Sequence, residues 1–479
     1  MTFANAPVRS ADGPTSILES ARRDEASPSP PNAPALAPPS NSQTAVLLSD
    51  EHYKHSLGIV RHLGRQGVRV SMVAASKNSL ACCSRHCREV ILSPAGTVAA
   101  LVETMLQAVK HRHFDLVMPV SYPMTLALAQ RRELLDSYTR LEVVASHTLE
   151  RAADKATMIA LAGKLGVPAP RTCRSAEIHE HADELIFPVV IKPQQESPGR
   201  PPIRYAHNLR ELWEILPSQT GRKLSGDTEN YLVQEFIPGN GCGFFATYQR
   251  GVCKRIFMHR RLREYPATGG VSSCAESFYD PKLEFYGRRM LDALHWHGVA
   301  MVEFRRDSRD GEYKLMEINP KFWGSLDLAL AAGADFPGDL CQMALGRTLP
   351  FSDQYRRNLR FQWPFSGHGE LFHLWTRPQS IFGVALDFLN PRVKSNVWLG
   401  DLGPNFRELR DLAGKVLPKA KQEAVAIVED ARKRAAELGA SSDSPPGTAE
   451  LGALLAAHFE LQESLVRLAH QISLEYPEP

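Results

Sequence analysis

The sequence predicts a multidomain protein of α/β and α+β class: a parallel-sheet unit, then a larger unit of mostly antiparallel strands, then a helical C-terminal extension. Three observations predict it. Alternating strand and helix patterns begin at Thr44 after an arm rich in Pro, Ala and Ser; paired strand runs joined by turn residues follow Glu150; strand signals thin past about Pro350. A chain of 479 residues with 43% hydrophobic residues has material for two or three ordinary globular domains.

Residues 1–43 include "SPSPPNAPALAPPSNSQ" and few bulky apolar side chains, too little to offset ordering entropy, so a disordered arm is expected. From Thr44, "TAVLLSD" reads as a buried strand, "SLGIVRHLGRQG" as a helix ending at Gly67, and "VRVSMVA" as a second strand. The helix "VAALVETMLQAVKHR", the strand "FDLVMPV", another helix and the strand "LEVVAS" continue the alternation. Residues 44–150 therefore form a Rossmann-like domain with a parallel sheet covered on both faces. No G-x-G-x-x-G follows the first strand, which argues against a dinucleotide site.

Residues 151–350 open with the helix "RAADKATMIALAGKLGVPAP" and continue through "FPVVIKP", "YLVQEFIPG", "GFFATYQRGVCKRIFMHRR", "GVAMVEFRRD" and "EYKLMEINP", with "QRG" as a turn between two strands. Residues 351–479 hold a charged helix, "KAKQEAVAIVEDARKRAAEL", a linker near 439–448, and a last helix. In it Leu451, Leu454, His458, Leu461, Leu465, Leu468 and Ile472 alternate at three and four spacing. Docking on its own domain is expected of this helix, a homodimer being the alternative.

A formal charge of +3 gives no strong field, and no nucleic-acid or membrane partner is expected. Eight scattered cysteines read as free thiols of a reducing compartment, hence the cytoplasm. "CCSRHC" (Cys82, Cys83, His86, Cys87) contains zinc-ligand types, but no second pair follows, which disfavours a structural zinc site. No apolar run approaches the roughly 20 residues that span a bilayer, "IFGVALDFL" being the nearest, and with no basic segment before an apolar core near residue 1 a secretory signal is not expected.

The chemistry concentrates in "YKLMEINPKFWGS". On a strand, Glu317 and Asn319 project from one face while Met316 and Ile318 take the other. The preceding strand brings Glu303, and "DSRDG" is a five-residue hairpin loop with Asp310 and Gly311 as turn formers. With Arg306 and Glu312 flanking that loop, Glu303 falls opposite Leu315 and diagonal to Glu317, roughly 7 to 8 Å away. Two carboxylates and an amide oxygen suit Mg²⁺, which commonly completes its shell with nucleotide phosphates; a solvated strand end with surface acids is the plainer alternative. Lys192, at the exit of "FPVVIKP", is an ammonium that a phosphate would compensate, and Lys155 in "ADKATM" is a second such group.

Through these motifs in this order, "ADKATMIALAGKLGVPAP", "FPVVIKP", "VQEFIPG", "GVAMVEFRRD" and "MEINPKFWGS", the chain resembles the ATP-grasp superfamily over about residues 44 to 350. The branch is the one with a preceding Rossmann-like domain, which includes carboxylate-amine ligases, biotin carboxylase and carbamoyl phosphate synthase. The resemblance implies that Lys155 and Lys192 contact ATP phosphates and that Gln234, Glu235, Phe236 and Ile237 line the adenine. It implies that Glu303 and Glu317 bridge two Mg²⁺ ions with Asn319 as a further ligand, Mn²⁺ being able to substitute.

Two features depart from that pattern, and one cationic cluster accords with it. Lys321 stands where many members carry arginine, keeping the charge without the bidentate fork. The segment after Lys192, "QQESPGRPPIRYAHN", has one glycine and three prolines before Tyr205 where a glycine-rich phosphate lid is usual, and "REYPATGGVSS", with Gly269, Gly270, Ser272 and Ser273, offers another phosphate-facing turn. "MHRRLRE" gathers His259, Arg260, Arg261 and Arg263, of which His259 and Arg261 share one strand face and join Lys321 as the expected catalytic groups.

The expected activity is an ATP-dependent, ADP-forming ligation of a small-molecule carboxylate to an amine through an acyl phosphate. A bicarbonate-activating enzyme of biotin carboxylase type and a non-catalytic ATP-binding sensor are the alternatives.

Overall fold

The computed structural model describes residues 43–195, 203–216, 231–265, 271–365 and 381–414. The N-terminal arm, the Gly269 and Gly270 turn, most of the segment after Lys192 and both C-terminal helices read from the sequence lie outside these residues.

Strands β1 (Ala45–Leu48), β2 (Arg69–Ala74), β3 (Glu89–Leu92) and β4 (Leu116–Met118) form a sheet of order β3-β2-β1-β4, with every pair parallel. All four residues of β1 are buried, as the unbroken apolar run requires of a strand covered on both faces. Helices Val98–His111 and Tyr122–Ala129 pack on one face around Leu47, Val73 and Val117. On the other face lie helix Lys54–Arg65 and two later helices, Leu326–Ala332 and Phe336–Ala344, so the following unit helps to cover this sheet.

Two sequence readings of this region are corrected. "EVIL" forms β3, which the helix and strand alternation had passed over. "LEVVAS" forms no strand; one bridge, Leu116 to Arg140, marks the place. The Arg132 guanidinium donates to the carbonyl oxygens of Leu141 (2.8 Å) and Val143 (2.6 Å), taking up acceptors that a ladder would use.

Next come β5 (Thr172–Arg174), β6 (Val189–Pro193), β7 (Arg204–Ala206) and β8 (Tyr231–Glu235), an antiparallel sheet of order β5-β8-β6-β7. The large sheet contains β9 (Gly239–Gln249), β10 (Val252–Tyr265), β11 (Val271–Ser277), β12 (Gly298–Asp307), β13 (Tyr313–Asn319), β14 (Arg360–Gln362) and β15 (Val393–Ser395), in the order β13-β12-β9-β10-β11-β14-β15. The turn expected at "QRG" joins β9 to β10 through Arg250 and Gly251, with φ of 50° and 79°. Two successive left-handed residues are what a tight hairpin matched to strand twist needs.

One face of the large sheet packs on helices Ser146–Ala153, Lys155–Lys164 and Pro281–Ala293; the other meets the parallel-sheet unit. Beyond Pro350, β14 and β15 extend this same sheet, although the sequence signals there were thin. Among the described residues no helix is long and apolar enough to cross a membrane.

Candidate nucleotide and metal site

The β12–β13 hairpin sets the site. Asp307 N donates to Glu312 O and Gly311 N to Asp307 O, both at 2.8 Å, and Gly311 takes φ 73°. Pairing therefore begins with Arg306 opposite Tyr313, one residue later than expected, and continues to Phe304 opposite Leu315. A bulge follows, after which Glu303 pairs with Glu317. The two carboxylates are thus directly opposed rather than diagonal, because the loop shift and the bulged extra residue, Met316, together move β13 by two positions. Asn319 lies on the same face, with Nδ2 3.1 Å from Glu317 Oε1.

The row continues across the sheet from Glu303 to Gly243 and His259. A Cβ at Gly243 would run into the Phe245 ring, which rests over this position against His259 (centroids 4.7 Å apart) and Trp323 (4.5 Å).

Cations converge on the carboxylate pair from two directions. Lys155, at the start of its helix, places Nζ 3.2 Å from Glu317 Oε2. Lys192, on β6, is 7% exposed. Burial lowers its ammonium from the usual lysine range to about 8; Glu317 and Glu303 push it up and Lys155 pushes it down, which places all four groups within electrostatic reach. The two lysines are also stitched through the backbone, since Lys155 N donates to Gln194 O at 3.0 Å. Asp154 caps the helix by accepting from Thr157 N (2.8 Å) and also accepts from Gln194 Nε2 (2.7 Å).

From the other side Arg261 donates to Glu303 Oε1 at 2.8 Å and lies 3.4 Å from Glu264 Oε2, and Arg305 lies 3.9 Å from Glu264 Oε1. Burial raises the Glu303 carboxyl; Arg261 works against that rise and Glu317 adds to it. Burial works against the charge of Arg261, yet Glu303 and Glu264 hold its pKa above the ordinary value.

Other expected residues are placed differently. His259 is 1% exposed, its Nε2 is 2.6 Å from Ser325 Oγ, and burial with the nearby Arg261 lowers it to about 3, so it stays neutral, covered by Phe245 on the same sheet face as Glu303. Arg260 turns to Glu276 (2.5 Å) and Arg263 to Asp387 (2.6 Å), both away from the carboxylate pair. Lys321 lines a small, partly open pocket beside β4, with Pro119, Glu142, His297 and Phe322.

In the expected adenine segment, Gln234 Nε2 donates to Thr172 Oγ1 (2.8 Å), Glu235 pairs with Arg309 (2.7 Å), Phe236 N donates to Pro188 O (3.3 Å) and Ile237 is buried. Gln234 and Glu235 end β8, whose Leu232 pairs with Lys192, so this segment directly adjoins the lysine strand. Ser272 and Ser273 are buried in β11.

The donor set fits a hard divalent cation: two opposed carboxylates and an adjoining amide, with oxygen the only ligand type. A half-turn of the Asn319 amide exchanges Nδ2 for Oδ1 at the same spot. Among the described residues no group of three or more His, Cys, Asp or Glu side chains is arranged for a metal, and burial raises the thiols of Cys82, Cys83 and Cys87. Sequence reasoning missed Asp154, Gln194, Glu264, Arg305 and Ser325. Asp154 alone had a local signal, as an acidic N-cap before a helix.

Residues 228–364 match the family model described as ATP-grasp in the biosynthetic pathway with Ter operon. The D-aspartate ligase of Enterococcus faecium (strain Aus0004) is 24% identical over 242 residues, 46% of this chain and 57% of that relative, so the match spans little more than half of its length. The biotin carboxylase domain of Hydrogenobacter thermophilus 2-oxoglutarate carboxylase, solved with MgADP, ADP and bicarbonate, is similar over 67% of this chain and 74% of that one, with TM-score 0.54 and 15% identity. The L-amino acid ligase of Bacillus licheniformis is similar over 66% of this chain and 78% of that one, with TM-score 0.50 and 16% identity. At these identities the structural likeness is one of fold. The segment that matches the ATP-grasp family model lies across β8 to β14, around the opposed glutamates, and the likeness to the solved structures extends the shared fold over about two thirds of the chain.

Proposed function

We propose that the protein is an ATP-dependent, ADP-forming ligase that joins a small-molecule carboxylate to an amine. The observation that carries this reading is Lys192: an ammonium buried on β6, lowered to about 8, and set with Lys155 beside two opposed carboxylates. A buried cation pair over an acid pair is costly when bare and is compensated by a polyphosphate and divalent metal together.

Glu303, Glu317 and Asn319 would hold Mg²⁺, which supplies charge neutralisation at phosphate oxygens. Lys155 and Lys192 bind the triphosphate and hold its terminal group in line for attack, and the segment from Gln234 to Ile237 borders the base. An oxygen of the substrate carboxylate attacks the γ-phosphorus and ADP departs; the amine nitrogen then attacks the acyl carbon, phosphate departs, and the amine loses a proton. Arg261 pairs with Glu303 at the platform's inner edge and opposes the rise that burial gives its carboxyl. No protein nucleophile takes part.

The name of the 24% identical relative makes D-aspartate the first substrate to screen. The test is ADP and phosphate release with pairs of carboxylates and amines. Release that requires both substrates and yields an amide supports the ligase. Stimulation by bicarbonate without an amine, or nucleotide binding without hydrolysis under every pair, contradicts it.

A further inference from the structure

Among the described residues, the five most exposed large apolar side chains are Leu399, Leu389, Phe382, Leu386 and Phe406, from 87% down to 66% exposed. All five fall within residues 381–414, the last described stretch of the chain. Three of them, Phe382, Leu386 and Leu389, stand at four and three spacing on helix Ile381–Leu389, so they form one stripe. The opposite side of that helix is anchored. Asp387 is buried and accepts from Arg263 at 2.6 Å, with Arg360 3.6 Å away, and Val384 is buried beside it. The stripe is therefore held outward at a fixed orientation, as an apolar face with no cover among the described residues.

We propose that this face is the seat of the chain's own C-terminal segment, residues 451–472. That segment carries a complementary stripe of Leu451, Leu454, Leu461, Leu465 and Leu468. It belongs to the same chain as the patch, and the described residues end at residue 414, downstream of it. Residues 415–450 lie between; even with 419–438 helical at about 1.5 Å per residue and the rest extended at about 3.3 Å, they reach roughly 80 Å. Such a tether gives an effective concentration on the order of millimolar, far above that of a second copy in dilute solution, so the in-chain arrangement outcompetes dimerisation through the same stripes. The inference is independent of the catalysed reaction.

The test is hydrogen–deuterium exchange on the full chain, comparing the unaltered protein with the triple variant Leu461→Asp, Leu465→Asp, Leu468→Asp, with sedimentation velocity at low and high concentration. The expected result is amide exchange in residues 381–389 at least tenfold faster in the variant, with a monomeric mass for both proteins. A second variant, Leu386→Asp, is expected to speed exchange in residues 451–472 and leave the parallel sheet protected. Unchanged exchange in both segments would overturn the proposal. So would protection of residues 381–389 that disappears on dilution together with a doubled mass at high concentration, which would assign the face to a second copy.

Discussion

Glu303 and Glu317 stand directly opposite one another across β12 and β13, each met by its own cation, Arg261 at 2.8 Å and Lys155 at 3.2 Å. Like charges in that position repel. Their closeness on a largely buried face is offset by those two cations, with Lys192 within electrostatic reach of both carboxylates.

Replacing Glu317 by Gln removes one anionic donor and the partner of Lys155 while keeping the side chain's shape. Turnover is expected to fall at least a hundredfold, with the circular dichroism spectrum and melting temperature close to those of the unaltered protein. Full phosphate release in this variant would exclude the residue from the metal role.

Lys192 predicts a pH dependence. Its folded-state value, about 8, lies below the ordinary lysine value of 10.5, so above pH 8 the unfolded chain binds more protons than the folded one. The cost of burying the ammonium is fully present below about pH 8, and stability from this group rises as pH climbs from about 8 towards 10.5. Affinity for the anionic nucleotide should run the other way, weakening as Lys192 loses its proton above pH 8. Calorimetric titration with ADP from pH 7 to 9.5 checks this, and Lys192→Arg should flatten the profile.

Gly243 lies between Glu303 and His259 where a Cβ would strike the Phe245 ring. Gly243→Ala is expected to destabilise the fold by about 1–3 kcal/mol, the usual cost of overpacking a filled core. Urea denaturation measures it. A neutral result would mean that the ring moves aside freely.

Arg261 and Glu303 form a largely buried pair, and removing one partner strands the other. Arg261→Met should cost on the order of 3–5 kcal/mol, and adding Glu303→Gln should recover part of that loss. A double-mutant cycle by denaturant unfolding reads the coupling; strict additivity would contradict it.

Much of this architecture was legible because it is written in local periodicity. β1 reads as four consecutive apolar residues, Gly67 ends its helix, and Arg250–Gly251 announces a hairpin. The placement of Glu317 and Asn319 on one face followed from strand alternation alone. What stayed hidden depends on register and on distant partners. The opposition of Glu303 and Glu317 needed a bulge at Met316 that no residue type signals, and β3 is a short run of half-buried and exposed residues. The neutrality of His259 comes from burial, to which Phe245 from another strand contributes, and from the neighbouring Arg261. The failure of "LEVVAS" as a strand comes from Arg132 taking its carbonyls.

The most direct test of the central claim is calorimetric binding of ADP with and without Mg²⁺, to the unaltered protein and to the double variant Lys155→Met, Lys192→Met. Binding that strengthens at least tenfold with Mg²⁺ and disappears in the double variant is the predicted result. Equal affinity with and without the metal, or undiminished binding once both ammonium groups are gone, would contradict the account.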